Sequence, residues 1–203
     1  MRAMELRDLV LHALTVKKSG TADQIAEFLG RDSGEIATTL SAAAEDGLVA
    51  GGAGIHMATP AGRQVLDELY PVAYAEVRSD PAVEAAADRF EVVNRKLLDL
   101  LTRWQTTTTA GTSVPNDHSD VAYDTAILDE LGELHERAEP TLGALSGAVP
   151  RLEVYGDRLE RAYDRALAGE TDYVSGVRVD SYHTVWHELH EDLLRVLGRT
   201  RQE

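Results

Sequence analysis

The chain has 203 residues, of which 43% are hydrophobic, and it contains no cysteine, so disulfide bonds, thiolate metal ligands and a cysteine nucleophile are excluded. No apolar run approaches the roughly 18 residues that a membrane span requires, and Met1–Glu5 matches neither a secretory signal nor a transit peptide, so we expect a cytoplasmic protein with no membrane partner. The formal net charge of −15 opposes binding to nucleic acid unless basic groups gather on one face.

The first predicted helix covers Leu6–Lys17, where apolar residues recur on one helical side. Lys17 and Lys18 fall in its last turn. Two roles remain open for this lysine pair. The two amino groups either balance the negative end of the helix dipole or contact a phosphate group.

The next stretch predicts two short helices joined by a tight turn. Thr21 and Gln24 have the spacing of a capping box, which predicts a helix over Ala22–Leu29. A second helix is predicted over Ser33–Glu45 behind an Asp32 cap. Each helix has one apolar side, so the two can cross and share a small core.

A glycine-rich hairpin follows the second helix. The sequence Gly51-Gly52-Ala53-Gly54 has the composition of a short wing between two strands. Thr59 and Pro60 then open another helix, as its cap and its first helical residue. Helix, turn, helix and wing in this order predict a winged helix-turn-helix domain over residues 1–72.

Two segments of this domain, Asp46-Gly47-Leu48-Val49 and Thr59-Pro60-Ala61-Gly62-Arg63, resemble winged-helix regulators of the MarR and PadR type. The resemblance implies a DNA-binding transcriptional regulator that acts as a dimer. In that family the second helix enters the major groove and the wing lies over the minor groove. Here that helix carries no outward arginine, lysine, asparagine or glutamine, the side chains that make bidentate contacts to base edges.

Residues 1–72 hold six basic and ten acidic side chains, so any DNA contact depends on local rather than net charge. Base readout would rest on hydroxyl groups and on contacts with thymine methyl groups. The residues that we predict to contact DNA are Lys17, Lys18, Arg31, Ser33, Thr38, Ser41, His56 and Arg63.

The rest of the chain predicts an all-helical domain over residues 80–203 with four to five helices, giving a mostly α protein. We expect this domain to form a homodimer and to bind a small-molecule effector. The threonine-rich stretch Thr106–Pro115 is predicted to be an exposed loop, and Pro140 and Pro150 to bracket a short separate segment. The predicted helices are Pro81–Trp104, Asp120–Ala138, Arg151–Ala168 and a last helix from an Asp180 cap to about Gly198.

Aromatic residues of this domain suggest an effector pocket, because such side chains converge where a helical bundle holds a small ligand. The alternative is that they are ordinary core residues. The candidate pocket residues are Trp104, Tyr123, Tyr155, Tyr182, Trp186 and His187.

The last helix contains the one candidate metal site. His183, His187 and His190 fall on a single stripe, at spacings that let imidazoles share an ion. Asp117 and His118 would add ligands from the start of another helix. The alternative is that the histidines line the edge of a core and pair with carboxylates, while the second segment forms a turn and a helix cap. No other cofactor is expected.

A second resemblance lies in Pro115-Asn116-Asp117-His118, in Asp180-Ser181-Tyr182-His183 and in the segment from Trp186 to Leu194. These look like a helical region of bacterial proteins related to pyruvate phosphate dikinase. The chain lacks the threonine-serine-histidine motif that carries phosphohistidine in such enzymes, and it offers no pair of nucleophile and general base. We therefore expect a regulator that is not an enzyme, or alternatively an accessory module of phosphoenolpyruvate or pyruvate metabolism.

Overall fold

The structure is a computed structural model that describes residues 4–109 and 111–200, with the side chains of residues 108 and 109 left out. It is mostly helical, as predicted. The helices are α1 Leu6–Lys17, α2 Ala22–Leu29, α3 Ser33–Glu45, α4 Pro60–Ala73, α5 Ala75–Arg78, α6 Pro81–Gln105, α7 Val121–Ala148, α8 Glu153–Leu167, α9 Asp172–Ser175 and α10 Tyr182–Leu197. The strands are β1 Val49–Gly52, β2 Ile55–Ala58, β3 Thr106–Thr109 and β4 Thr112–Pro115, and Pro150–Leu152 form a 3-10 turn.

The chain divides into two compact units. The first runs to Asp80 and includes the chain again from His190 onward, and the second is Pro81–Leu189. The sequence places a boundary between residues 72 and 80 and assigns everything beyond it to one domain, whereas here the second half of α10 belongs to the first unit. Within residues 4–109 and 111–200, no helix has both the length and the apolar character that crossing a membrane requires.

Local signals set the ends of α2 and α3, and both helices have their predicted bounds. The Thr21 side chain accepts a hydrogen bond from the Gln24 N–H at 3.3 Å, and the Gln24 side chain accepts one from the Thr21 N–H at 2.9 Å. Gly30 ends α2 in the left-handed region at φ 61°, which costs glycine little. Asp32 caps α3 by accepting from the Glu35 N–H at 3.0 Å.

The core of the first unit lies where α1 packs on α2, α3 and α4. Leu11 and Leu14 of α1, Ile25 of α2, and Ile36 and Leu40 of α3 are all at most 1% exposed. Burying a side chain of this kind contributes about 1.5–3 kcal/mol. The shared core therefore fixes how α2 and α3 cross.

The β1–β2 hairpin is antiparallel, with Val49 opposite Ala58. Gly20, just before α2, adds a bridge to His56, with N···O distances of 2.9 and 3.0 Å. Gly62 lets α4 start against the chain that leads into β1, because a Cβ atom there would lie 2.3 Å from the Leu48 carbonyl oxygen. The hairpin is thus held from both sides.

Two predictions are wrong for the Thr106–Pro115 stretch: it is not an irregular loop, and the second domain is not all-helical. It forms the antiparallel pair β3 and β4, with Thr106 opposite Pro115. Threonine is β-branched and suits a pleated strand, and Gly111 takes a positive φ of 82° beyond β3. This hairpin, which the low-complexity composition did not predict, joins the long helices α6 and α7. The two helices pack along each other.

Helix α7 is longer than predicted. It continues through Pro140 to Ala148, whereas the sequence predicted an end at Ala138. An internal proline removes one helical hydrogen bond and costs about 3 kcal/mol or more. Pro140 is exposed, so water can reach the backbone near it, while Leu131 and Leu145 remain buried on the opposite side. Continuous burial of that apolar side outweighs the local break.

The starts of the last two long helices also differ slightly from prediction. Pro150–Leu152 form the 3-10 turn, and α8 begins only at Glu153. Ser181 rather than Asp180 caps α10, because its hydroxyl oxygen accepts from the Thr184 N–H at 3.2 Å. Asp180 is instead bound to Arg158 at 2.9 Å.

Candidate functional site

Helix α3 turns one side toward the core and the other toward solvent. Its inward residues include Ile36 and Leu40, whereas Ala37, Thr38 and Ser41 are exposed. This is the outward side that the sequence predicts for DNA contact. The exposed side is small and uncharged at its centre.

The hydroxyl groups of this face already donate to protein acceptors. Thr38 Oγ1 donates to the Gly34 carbonyl at 2.9 Å, and Ser41 Oγ donates to the Ala37 carbonyl at 3.0 Å. Ser33 donates to the Asp23 carboxylate. A hydroxyl has one hydrogen and two lone pairs, so these groups can still accept hydrogen bonds. Adenine N6 and cytosine N4 present such donors in the major groove.

Most of the candidate basic residues already contact other parts of the first unit. Lys17 Nζ lies 5.6 Å from the Phe28 ring centroid, in cation–π geometry. Lys18 is exposed, with Nζ 3.5 Å from a Glu191 carboxylate oxygen. An exposed pair at this distance is worth about 0–1 kcal/mol and can exchange its partner. Lys18 therefore remains able to turn toward another anion.

The two arginine candidates differ in how strongly they are engaged. Arg63 Nη1 donates to the Ala58 carbonyl at 2.6 Å and so holds the end of β2. Arg31, in the turn between α2 and α3, is exposed, and no side-chain hydrogen bond or ion pair engages it within the described residues. Arg31 is therefore the best-placed cation near α3.

Carboxylates occupy the start of α3, where a helix would otherwise attract an anion. The Asp32 side chain caps the helix, and Glu35 lies in its first turn. Asp23 accepts the Ser33 hydroxyl beside them. These carboxylates already balance the positive end of the helix dipole, and they would repel a phosphate group.

The tip of the hairpin offers apolar rather than basic contacts. Ile55 and Met57 point to one side of β2, with relative exposures of 49% and 50%. His56 lies between them, half-buried, and its backbone bonds to Gly20. Ile55 and Met57 are thus two of the large apolar side chains that the described part of the chain exposes.

The predicted effector-pocket aromatics are mostly core residues, the alternative left open by the sequence. Trp104, Tyr155, Tyr182 and Trp186 are each at most 2% exposed. Trp186 stacks on Phe90 at a centroid distance of 4.7 Å. These four side chains therefore belong to the core of the second unit.

The other two pocket candidates lie nearer the surface. The Tyr123 hydroxyl donates to the Arg103 carbonyl at 3.0 Å, and His187 is exposed. None of the six candidates lines the cleft beside His135 or the cleft beside Arg78.

The structure does not assemble the candidate metal site. Across residues 4–109 and 111–200, no group of three or more His, Asp and Glu side chains could hold a metal ion. His183 is half-buried, and its burial lowers the pKa of the imidazole below the ordinary value. His187 is exposed, whereas His190 is buried.

The segment around His118 forms the turn that was the alternative to metal binding. His118 Nδ1 lies 2.9 Å from the Asp124 carboxylate, and Asn116 donates to the same carboxyl group at 2.9 Å. The Asp117 carboxylate accepts the Ser119 hydroxyl at 2.6 Å and its N–H at 3.0 Å, which lowers the pKa of Asp117. His118 Nδ1 and Asp117 Oδ1 are therefore engaged within the turn.

Two buried polar clusters were not predicted from the sequence. In the first unit, His12 lies 2.8 Å from the Tyr70 hydroxyl through Nδ1 and 3.2 Å from the Asp192 carboxylate through Nε2. The side chains of His12 and Asp192 are 0% exposed. The available signal was the position of His12 inside a helix that is buried almost all round.

In the second unit, Arg158 is buried and binds Asp180 at 2.9 Å and Glu188 at 2.8 Å. Burial alone lowers the pKa of Arg158, but the two carboxylates raise it by more. No local pattern in the sequence pairs these three residues, because they come from separate elements.

No protein-family model matches the chain, and neither a curated protein nor a solved structure matches it. Function is therefore inferred from the geometry of the residues described above.

Proposed function

We propose that the first unit is a winged helix that binds duplex DNA and that the protein is a transcriptional regulator. The observation that carries this proposal is the solvent-facing side of α3, which is held by a buried α1–α2–α3 core and followed at once by the β1–β2 hairpin. A helix held in this way, next to a hairpin, suits insertion into a groove of DNA.

In the proposed complex α3 lies in the major groove and the hairpin lies over the minor groove. Thr38 and Ser41 accept hydrogen bonds from exocyclic amino groups, and Ala37 contacts a thymine methyl group. Arg31 and Lys18 contact phosphate groups. A homodimer would place two copies of α3 in successive major grooves.

The acidic charge makes the expected binding weak and strongly dependent on salt. Only a few cations face the phosphates, while the carboxylates at the start of α3 repel them. The affinity should fall steeply between about 50 and 200 mM salt, as it does for proteins that release counterions from DNA.

The test is fluorescence anisotropy with a duplex from the region upstream of the gene and a random duplex of equal length. Arg31→Gln should weaken binding to both duplexes about equally and reduce the salt slope by about one, because a phosphate contact carries no sequence information. Arg89→Gln, which removes an exposed arginine from α6, is the matched control and should change little. Arg63 is a less suitable site because it also holds β2.

A second candidate function is protein binding, as an accessory module of phosphoenolpyruvate or pyruvate metabolism. The observations that favour protein binding are the half-exposed Ile55 and Met57 pair on β2 and the uncharged outward face of α3. Such a surface fits an apolar partner better than a phosphate backbone. If neither duplex binds at low salt, the DNA proposal fails.

A further inference from the structure

The first unit contains a cleft whose charge is opposite to that of the chain as a whole. Its volume is about 310 Å³, and its lining comes from α4, α5 and the end of α10. Three arginines, Arg78, Arg195 and Arg199, line it together with one carboxylate, Asp67. A protein of net charge −15 thus concentrates positive charge in one small concavity.

Arg78 is held in a fixed position at this cleft. Its Nε donates to the Val196 carbonyl at 2.8 Å, and Nη2 donates to the Arg195 carbonyl at 2.9 Å. These are among the last carbonyl groups of α10, so the guanidinium group also neutralises the negative end of the helix dipole. An immobilised arginine loses little further conformational entropy when it binds a ligand.

Gly198 makes this arrangement sterically feasible. It follows α10 with a φ of 66°, and a Cβ atom there would lie 2.9 Å from Arg78 Cζ. The glycine therefore allows the guanidinium group to approach the end of the helix.

Arg195 brings a second guanidinium group to the cleft. One end of its guanidinium group binds the Glu191 carboxylate. Its Nε, however, is buried without a hydrogen-bond partner among the described residues. This Nε is shielded from solvent, so only the 23% of the Arg195 side chain that is exposed can contact a ligand in the cleft.

We propose that this cleft binds a small oxyanion, either the phosphate or the carboxylate group of a metabolite. Arginine forks match both groups, because two N–H donors can bind two oxygen atoms. The volume is at the lower end of the roughly 300–1,000 Å³ typical of ligand pockets, which suits a small ligand. This inference does not depend on whether the first unit binds DNA.

The cleft also meets the buried cluster of the first unit. Tyr70 is part of its lining, and the Tyr70 hydroxyl lies 2.8 Å from His12, which lies 3.2 Å from Asp192. An anion in the cleft would therefore contact α4, the helix that follows the hairpin, and stabilise the packing of α4 with the end of α10.

The test is isothermal titration calorimetry with inorganic phosphate and, separately, succinate, at constant ionic strength set with sodium chloride. Wild-type protein should bind at least one of the two anions, and the one that binds more tightly identifies the ligand class. Arg199→Gln should weaken binding at least about tenfold, the loss expected for one charged hydrogen-bonding group. Arg89→Gln, an exposed arginine on α6, is the matched control and should bind as the wild type does.

A second variant guards against loss of binding through misfolding. Asp67→Asn removes the carboxylate of the cleft and should tighten anion binding, a result that a damaged fold does not give. The proposal is overturned if neither anion binds the wild type, or if Arg199→Gln binds as well as Arg89→Gln. It is also overturned if Asp67→Asn leaves the affinity unchanged.

Discussion

The two buried polar clusters differ in the group that faces their carboxylates. In the second unit Arg158 carries a permanent charge and faces two carboxylates, Asp180 and Glu188. In the first unit the His12 imidazole lies between the Tyr70 hydroxyl and one carboxylate, that of Asp192. The same helix, α10, thus contributes a buried carboxylate to each cluster, Glu188 beside a guanidinium group in the second unit and Asp192 beside an imidazole in the first.

The largest expected effect comes from breaking the ionic contact. Arg158→Met leaves Glu188 buried without its cation and should lower the free energy of unfolding by about 3–5 kcal/mol. Urea denaturation followed by circular dichroism measures this loss. The double variant Arg158→Met with Glu188→Leu should recover most of it, because no buried charge remains. Equal stabilities of the single and double variants would show that the carboxylate is not the source of the cost.

A smaller effect is expected in the first unit. Asp192→Asn keeps the size of the side chain but removes the negative charge beside His12, and should cost about 1.5–3 kcal/mol, the range for a hydrogen bond to a charged group. The same urea titration applies. Tyr70→Phe, which deletes only the hydroxyl bonded to His12, should cost about 1 kcal/mol. A loss in Asp192→Asn larger than that in Arg158→Met would reverse the ranking of the two clusters.

The smallest effect concerns pH and the half-buried His183. Burial lowers the pKa of His183 in the folded protein, so the unfolded chain binds a proton more readily. The contribution of His183 to the free energy of unfolding is therefore fully present above the unfolded pKa of about 6.5. It decreases as the pH falls below that value. His183→Gln should show a smaller drop in Tm between about pH 7.5 and 5.5 than the wild type. If Tm falls equally with pH in the variant and the wild type, His183 does not contribute to the pH dependence of stability.

The sequence predicted well the elements whose ends depend on neighbouring residues. The bounds of α2 and α3 were confirmed because Thr21, Gly30 and Asp32 act through local backbone bonds. Helix α7 was predicted too short because a proline is disruptive only on average, and here Pro140 faces solvent. The threonine run was misjudged because its strand pairing depends on residues on both sides of a turn.

The candidate site was less predictable because its contacts join distant parts of the chain. Nothing near Lys18 indicates that Glu191 lies beside it. The hydrogen bond from Arg63 to the Ala58 carbonyl likewise depends on the folded hairpin, so the sequence alone does not predict it. The arginine cleft went unpredicted for the same reason, since its residues are separated by more than a hundred positions from Arg78 to Arg195.

The positions of the two tryptophans make intrinsic fluorescence a probe of one unit. Both tryptophans of the chain, Trp104 and Trp186, lie in the second unit, buried against His118 and Phe90 respectively. Tryptophan emission will therefore follow the second unit alone, whereas far-ultraviolet circular dichroism follows the helices of both. A difference between the two unfolding curves would show directly that one unit melts before the other.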